Sequence, residues 1–149
     1  MKIALASDHA GFELKEYIKG ILEKEGYSLI DVGTYTEDSV DYPDFGLKAA
    51  KLVSIEEADK GILICGTGMG MNVVANKVKG IRASLVQDLY TAIQSRKHLD
   101  ANVLVLGSRV IGKGLAETIV KTWLETSFEG GRHEQRIEKI KQWEERHLK

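Results

Sequence analysis

The only cysteine of the chain, Cys65, ends an apolar run and opens into alternating glycines, Cys65-Gly66-Thr67-Gly68-Met69-Gly70. A thiolate can serve as base, nucleophile or metal ligand, and electropositive surroundings favour that form of a cysteine. Glycines directly after it permit a tight turn whose backbone amides converge on an anion at the start of a helix. One reading is therefore a general base beside an amide cradle, and the other is a buried structural cysteine at a strand end. Two further motifs fail on particular residues. A cysteine phosphatase loop, C-x5-R, needs arginine at position 71, where the chain has Met71. A dinucleotide fingerprint needs its glycines after the first strand and an acid about 20 residues later, whereas Gly66, Gly68 and Gly70 follow the third apolar run and no acid stands in that role.

Three more stretches carry polar chemistry. "GSRVIGKG" (107–114) matches seven of the eight positions of a P-loop but ends in Gly114, which lacks the hydroxyl that holds magnesium. In "FEGGRHEQR" (128–136), Arg132 and Arg136 lie one helical turn apart, a fork suited to a phosphate, although a solvated charged helix accounts for the same spacing. Asp8-His9 and His98, in "SRKHLDAN", pair imidazoles with carboxylates that could move protons or orient a sugar hydroxyl; an exposed, merely satisfied histidine is the competing account. His9, His98, His133 and His147 show no ligand spacing, so no metal site is expected.

Short apolar runs alternate with amphipathic segments along the chain. Strands are expected at 2–7, 27–33, 60–65, 81–86 and 101–107, and helices at 11–25, 44–53, 70–78, 88–97, 112–125 and 134–147. The repeat of strand and helix predicts a five-stranded parallel sheet with helices on both faces. Ligands of such sheets bind at the carboxyl ends of the strands, where Asp8 to Gly11, Cys65 to Gly70 and Gly107-Ser108-Arg109 fall. Pro43 sits in the polar stretch "EDSVDYPD", and Ile137, Ile140 and Trp143 suit packing on the core or on a partner subunit.

Composition excludes several classes. A chain of 149 residues suits one domain over 1–149 with a core that needs no metal or disulfide staple. Basic and acidic side chains number 21 and 22, giving a net charge of −1 and no nucleic-acid signature. A single cysteine, an opening that turns polar too soon for a signal peptide, and no membrane-length apolar run read as a soluble cytoplasmic protein.

Taken together, "SDHAGFELK", "DVGTYTEDSVDYPDF", "GILICGTGMGMNVVANKVKGIRASL", "DANVLVLGSRVIG" and "FEGGRHEQRIEKI" closely resemble the ribose-5-phosphate isomerase B family, with its allose-6-phosphate and galactose-6-phosphate isomerase relatives. The resemblance covers nearly the whole chain. It implies a Rossmann-like three-layer sandwich and an aldose–ketose isomerase of ribose 5-phosphate that uses no cofactor and no metal. It also implies a homodimer or dimer of dimers with active sites at the subunit interface. By the same resemblance Cys65 is the base, Thr67 assists proton handling, and the amides from Gly66 through Gly68 to Gly70 hold the enediolate. His98 with Asp8 opens the sugar ring. His9, Arg132 and Arg136, joined by Arg109, clamp the phosphate, and Tyr42 lines the sugar pocket. One branch of the family uses a glutamate in the glycine loop as base; Met71 occupies that position here, which places the chain in the cysteine branch. One departure is Leu99, where the family has asparagine after the ring-opening histidine, and it leaves a hexose 6-phosphate open as substrate. A non-catalytic sugar-phosphate or flavin-phosphate binding module is the alternative from another class, and a yellow protein would reveal the flavin version. A subunit that depends on a catalytic paralogue is a third.

Overall fold

The computed structural model describes residues 1–148. Five strands, β1 (Lys2–Ser7), β2 (Ser28–Asp31), β3 (Lys60–Cys65), β4 (Ala83–Leu85) and β5 (Val103–Gly107), form one parallel sheet in the order β2-β1-β3-β5-β4. Helices α1 (Phe12–Lys24), α2 (Tyr42–Ser54), α3 (Met69–Ala75), α4 (Leu89–Leu99), α5 (Lys113–Glu125) and α6 (Arg132–His147) complete the three-layer α/β sandwich.

Strand order decides which helix covers which face. The chain steps outward from β1 to β2, returns past β1 to β3, jumps two places to β4 and steps back to β5. Right-handed crossovers then put α1 and α4 on one face and α2 and α3 on the other. The two cores agree. Leu14, Ile18 and Leu22 of α1, Ala92 of α4 and Ile119 and Trp123 of α5 pack on Ile3, Leu5, Ile62, Ile64, Leu104 and Leu106. On the opposite face Ala49, Ala50 and Val53 of α2 and Met71 and Ala75 of α3 meet Ala4, Ala6, Leu63, Cys65, Val103 and Val105. Because both faces are covered, the central strands carry continuous apolar runs, Ile3–Ala6, Gly61–Cys65 and Val103–Gly107, rather than alternating.

Element boundaries moved where side chains intervene. Helix α2 begins at Tyr42, two residues before its expected start, with Pro43 in its first turn, where a missing N–H costs nothing. Helix α3 stops at Ala75 because the Asn76 amide bonds to the carbonyls of Asn72 and Ala83 and accepts the Ala83 N–H. The edge strands β2 and β4 are shorter than their apolar runs, a common way of limiting unpaired edges. Ile137 is buried, while Ile140 and Trp143 remain exposed on α6. Among the described residues no helix is long and apolar enough to cross a membrane.

An ion pair is buried between α1 and β2. Lys15, wholly inaccessible, places Nζ 2.6 Å from Asp31 Oδ2, and Lys19 Nζ reaches the same oxygen at 3.1 Å. Burial pushes the Asp31 carboxyl up, but hydrogen bonds from Lys15, the Gly33 N–H and Lys19 outweigh it and hold the group below its usual range. A depressed carboxylate stabilises the fold above its unfolded pKa and loses that contribution as pH falls through the folded one. The stability gap between wild type and Asp31→Asn is therefore expected to be full at neutral pH and to close progressively below about pH 4, as thermal melts across pH would read.

Candidate active site

The sheet registers align the strand ends that carry the chemistry: Ser7 lies beside Ile64, and Cys65 beside Gly107. The three loops that follow are tied to one another. Asp8 N–H donates to the Ile64 carbonyl at 3.3 Å, Ser108 N–H to the Cys65 carbonyl at 2.8 Å and Arg109 N–H to the Gly66 carbonyl at 2.9 Å. The Ser108 hydroxyl lies 2.8 Å from the Ala10 carbonyl and 3.2 Å from that of Cys65, so its single hydrogen goes to Ala10 and clasps the first loop to the third. Val110 and Ile111 N–H donate to Gly107. The amides of 108–111 are thus all spent on carbonyls, and this half of "GSRVIGKG" serves to tie the loops together.

Cys65 is 5% exposed at the rim of the α2/α3 core, and Thr67 stands in solvent with its Oγ1 accepting the Met69 N–H at 3.2 Å. Gly68 turns the chain with φ of 85°, and a Cβ there would sit 2.5 Å from Leu85 Cδ1, so only glycine serves. Tyr42, at the start of α2, lays its ring where a Cβ on Gly70 would be, 2.6 Å away. The Arg109 guanidinium lies over Gly66, beside the thiol's own residue. Buried Asp8 accepts the Gly11 N–H at 3.0 Å, and His9 Nδ1 accepts the Val40 N–H at 3.1 Å, which leaves the ring hydrogen on Nε2. Asp8, His9, Tyr42, Cys65, Gly66, Thr67, Gly68, Gly70 and Arg109 thus gather at the carboxyl edge of the sheet.

His98, Arg132 and Arg136 do not join them. Helix α4 runs back from the carboxyl edge, and its last turn is bound to the amino edge: Arg82, just before β4, donates to the carbonyls of Leu99 and Asp100. His98 therefore lies at the opposite end of the sheet from Asp8. It stacks on His133 of α6, ring centroids 4.1 Å apart and planes 14° from parallel, and the exposed Arg132 and Arg136 flank that stack on the first turns of α6. Glu129 adds a carboxylate 3.8 Å from His133 Nε2, and the ligating atoms of His98, Glu129 and His133 lie within 4.8 Å of one another. Parallel rings aim their in-plane lone pairs side by side rather than at a common point, so this is the geometry of a stacked pair and not of a chelate. Burial pushes the His133 ring pKa down, with His98 and Arg132 adding to the effect and Glu129 opposing it. His133 and Ser108 acquire roles that spacing does not disclose, since one depends on a partner helix and the other on three loops meeting.

The clasp makes a measurable claim. Ser108→Ala leaves the Ala10 carbonyl short of its donor at a part-buried position, and the expected cost is about 1–2 kcal/mol of stability with turnover down about tenfold as the three loops lose register. A chemical melt and a steady-state assay on the same preparation check it.

Residues 3–140 match the family described as Ribose/Galactose Isomerase. Ribose-5-phosphate isomerase B of Escherichia coli K12 is 48% identical over 145 residues, 97% of this chain and 97% of that protein. Among solved structures, ribose-5-phosphate isomerase B of Clostridium thermocellum superposes with a TM-score of 0.97 at 53% identity, covering 99% of each chain. The Mycoplasma genitalium enzyme with bound ribulose 5-phosphate gives 0.93 at 44% identity, over 97% of this chain and 96% of that one. Matching almost end to end in sequence and in backbone, the chain belongs to the ribose/galactose isomerase family.

Proposed function

We propose that the protein interconverts ribose 5-phosphate and ribulose 5-phosphate through an enediolate, as one isomerase domain over 1–149, without cofactor or metal. The observation that carries this reading is the thiol of Cys65 at a rigid strand end, followed at once by a glycine turn whose first residue, Gly66, lies under Arg109. Moving a hydrogen between adjacent carbons needs a base, a place for the developing oxyanion and a remote anchor. Cys65 as thiolate takes the C2 proton, and the electron pair moves into the C1–C2 bond while the carbonyl oxygen on C1 gains charge beside the Gly66 to Gly70 turn. Thr67 relays the hydroxyl proton from O2 to O1. Cys65 then returns its proton to C1, leaving the ketone at C2, with no net oxidation. His9, through Nε2–H, and Arg109, Arg132 and Arg136 anchor the phosphate, His98 with Asp8 opens the cyclic sugar, and Tyr42 walls the pocket.

We further infer that this site is completed across a homodimer, or a dimer of dimers. Asp8 and His98 stand at opposite ends of one sheet, so a pair of them must come from two chains, and a two-fold axis gives each site one half from each copy. Such an assembly belongs in the cytoplasm, where the one thiol stays reduced. Purified protein given ribose 5-phosphate and a chelator should form ribulose 5-phosphate at an undiminished rate. Absence of turnover would move the substrate to a hexose 6-phosphate, because half-exposed Leu99 lines an open pocket of about 350 Å³ with His98 and cannot hydrogen-bond a sugar as asparagine does.

A further inference from the structure

We propose that the buried Lys15–Asp31 ion pair is a positioning device for the phosphate site: it anchors one end of the 32–41 segment so that the other end holds His9 as a donor toward substrate. The inference rests on the reading of His9 as a phosphate ligand. Removing one partner of a buried ion pair is costly, but replacing both by apolar side chains is often neutral, so the pair as a whole is kept here for direction more than for net stability. Here that direction is spent on the start of the segment. Asp31 takes Lys15 and Lys19 on Oδ2, its Oδ1 accepts the Gly33 N–H at 2.9 Å, and its carbonyl accepts the Tyr35 hydroxyl at 2.8 Å. Lys15 Nζ also lies 5.5 Å from the ring centroids of both Phe12 and Tyr35, so the cation holds the segment by its aromatic side chain as well.

From this anchor the backbone runs along the end of β1. Ser7 N–H donates to the Gly33 carbonyl and Thr34 N–H to the Ser7 carbonyl, both at 2.8 Å, immediately before Asp8 and His9. The segment then arches over and returns at Val40, whose N–H fills His9 Nδ1. A protonated Nδ1 could not accept that bond, so the contact fixes the ring hydrogen on Nε2. Two residues further on, Tyr42 rests on Gly70. One segment therefore sets both the imidazole tautomer and the aromatic wall, and Lys15–Asp31 is its buried fastening.

The test uses the full chain as Lys15→Met/Asp31→Asn, which removes both charges with little change of volume and keeps an acceptor for the Gly33 N–H. Nitrogen-15 spectra of the histidine rings, assigned with a His9→Gln sample, report the His9 tautomer without any need for activity, and steady-state kinetics with ribose 5-phosphate report the site. The expected result is a folded protein whose two His9 ring-nitrogen signals converge as the tautomers mix, with KM raised about tenfold and kcat within about threefold of wild type. Unchanged His9 signals in the folded variant would overturn the positioning role whatever the kinetics. Mixed tautomers with unchanged KM would keep the positioning and remove His9 from the phosphate site. Should the double variant fail to fold, Lys15→Met alone, which leaves no buried cation and keeps Lys19 and the Gly33 N–H on Asp31, is measured and judged in the same way.

Discussion

Cys65→Ala is expected to lower turnover of ribose 5-phosphate by about a thousandfold or more, since proton transfer from carbon loses the base proposed for it, while substrate affinity stays within about threefold. The substitution is clean for a structural reason. Cys65 contributes to the loop clasp only through its carbonyl, which accepts from Ser108, and no hydrogen bond to its sulfur supports the fold among the described residues. Losing one sulfur atom at the rim of the α2/α3 core should cost about 1 kcal/mol, too little to unfold a domain of this size. The loops, Arg109 and the residues proposed to hold the phosphate therefore keep their places, and a fall in rate reports chemistry. Cys65→Ser sharpens the contrast, because a hydroxyl fills nearly the same space but is a far weaker base; it should be nearly as inactive as alanine. Turnover retained by either variant would remove Cys65 from the role of base, and equal losses in rate and affinity would mean that the thiol shapes the pocket instead. Isotope exchange from solvent into C2 of the substrate separates these outcomes, since it requires the base and not product release.

Much of this is legible in the sequence. The apolar runs ending at Ser7, Cys65 and Gly107 are β1, β3 and β5, because a strand covered on both faces writes an uninterrupted hydrophobic signature and then stops where polar loops begin. For the same reason the carboxyl-edge residues were found as a group. The sheet order was not legible: a step from β3 to β4 and back to β5 depends on which edge each crossover reaches, and no local pattern encodes that. This is why the resemblance could assign Asp8 and His98 to one site without disclosing that a single chain keeps them at opposite ends. The Tyr42–Gly70 contact, the Ser108 clasp and the His98–His133 stack escaped for a related reason, each being a meeting of residues from different elements. Arg132 and Arg136 show both sides of the matter. Their one-turn spacing placed them correctly on a shared helix, α6, yet whether that helix points at a ligand or at solvent is a question about what packs beside it.

A mixture of two inactive proteins should recover activity if the site is assembled from two chains. Cys65→Ala removes the base from the carboxyl-edge half, and Arg132→Ala/Arg136→Ala removes charge from the α6 half, where both side chains are exposed and their loss should leave the fold intact while kcat/KM falls about a hundredfold or more. In a two-fold dimer with one copy of each, one site collects both defects and the other is wholly wild type. Random pairing at equal concentrations makes half the dimers mixed, each with one good site of two, so kcat/KM should return to about a quarter of the wild-type value. The two homomers measured apart supply the baseline, and the recovery should appear only after conditions that exchange subunits. If both halves of the site came from one chain, every mixed dimer would carry two defective sites and no recovery could occur at any mixing ratio. The size of the effect, from a per cent or less to about a quarter, lies far outside what altered stability could imitate, because neither variant can restore a missing base or a missing guanidinium to its own chain.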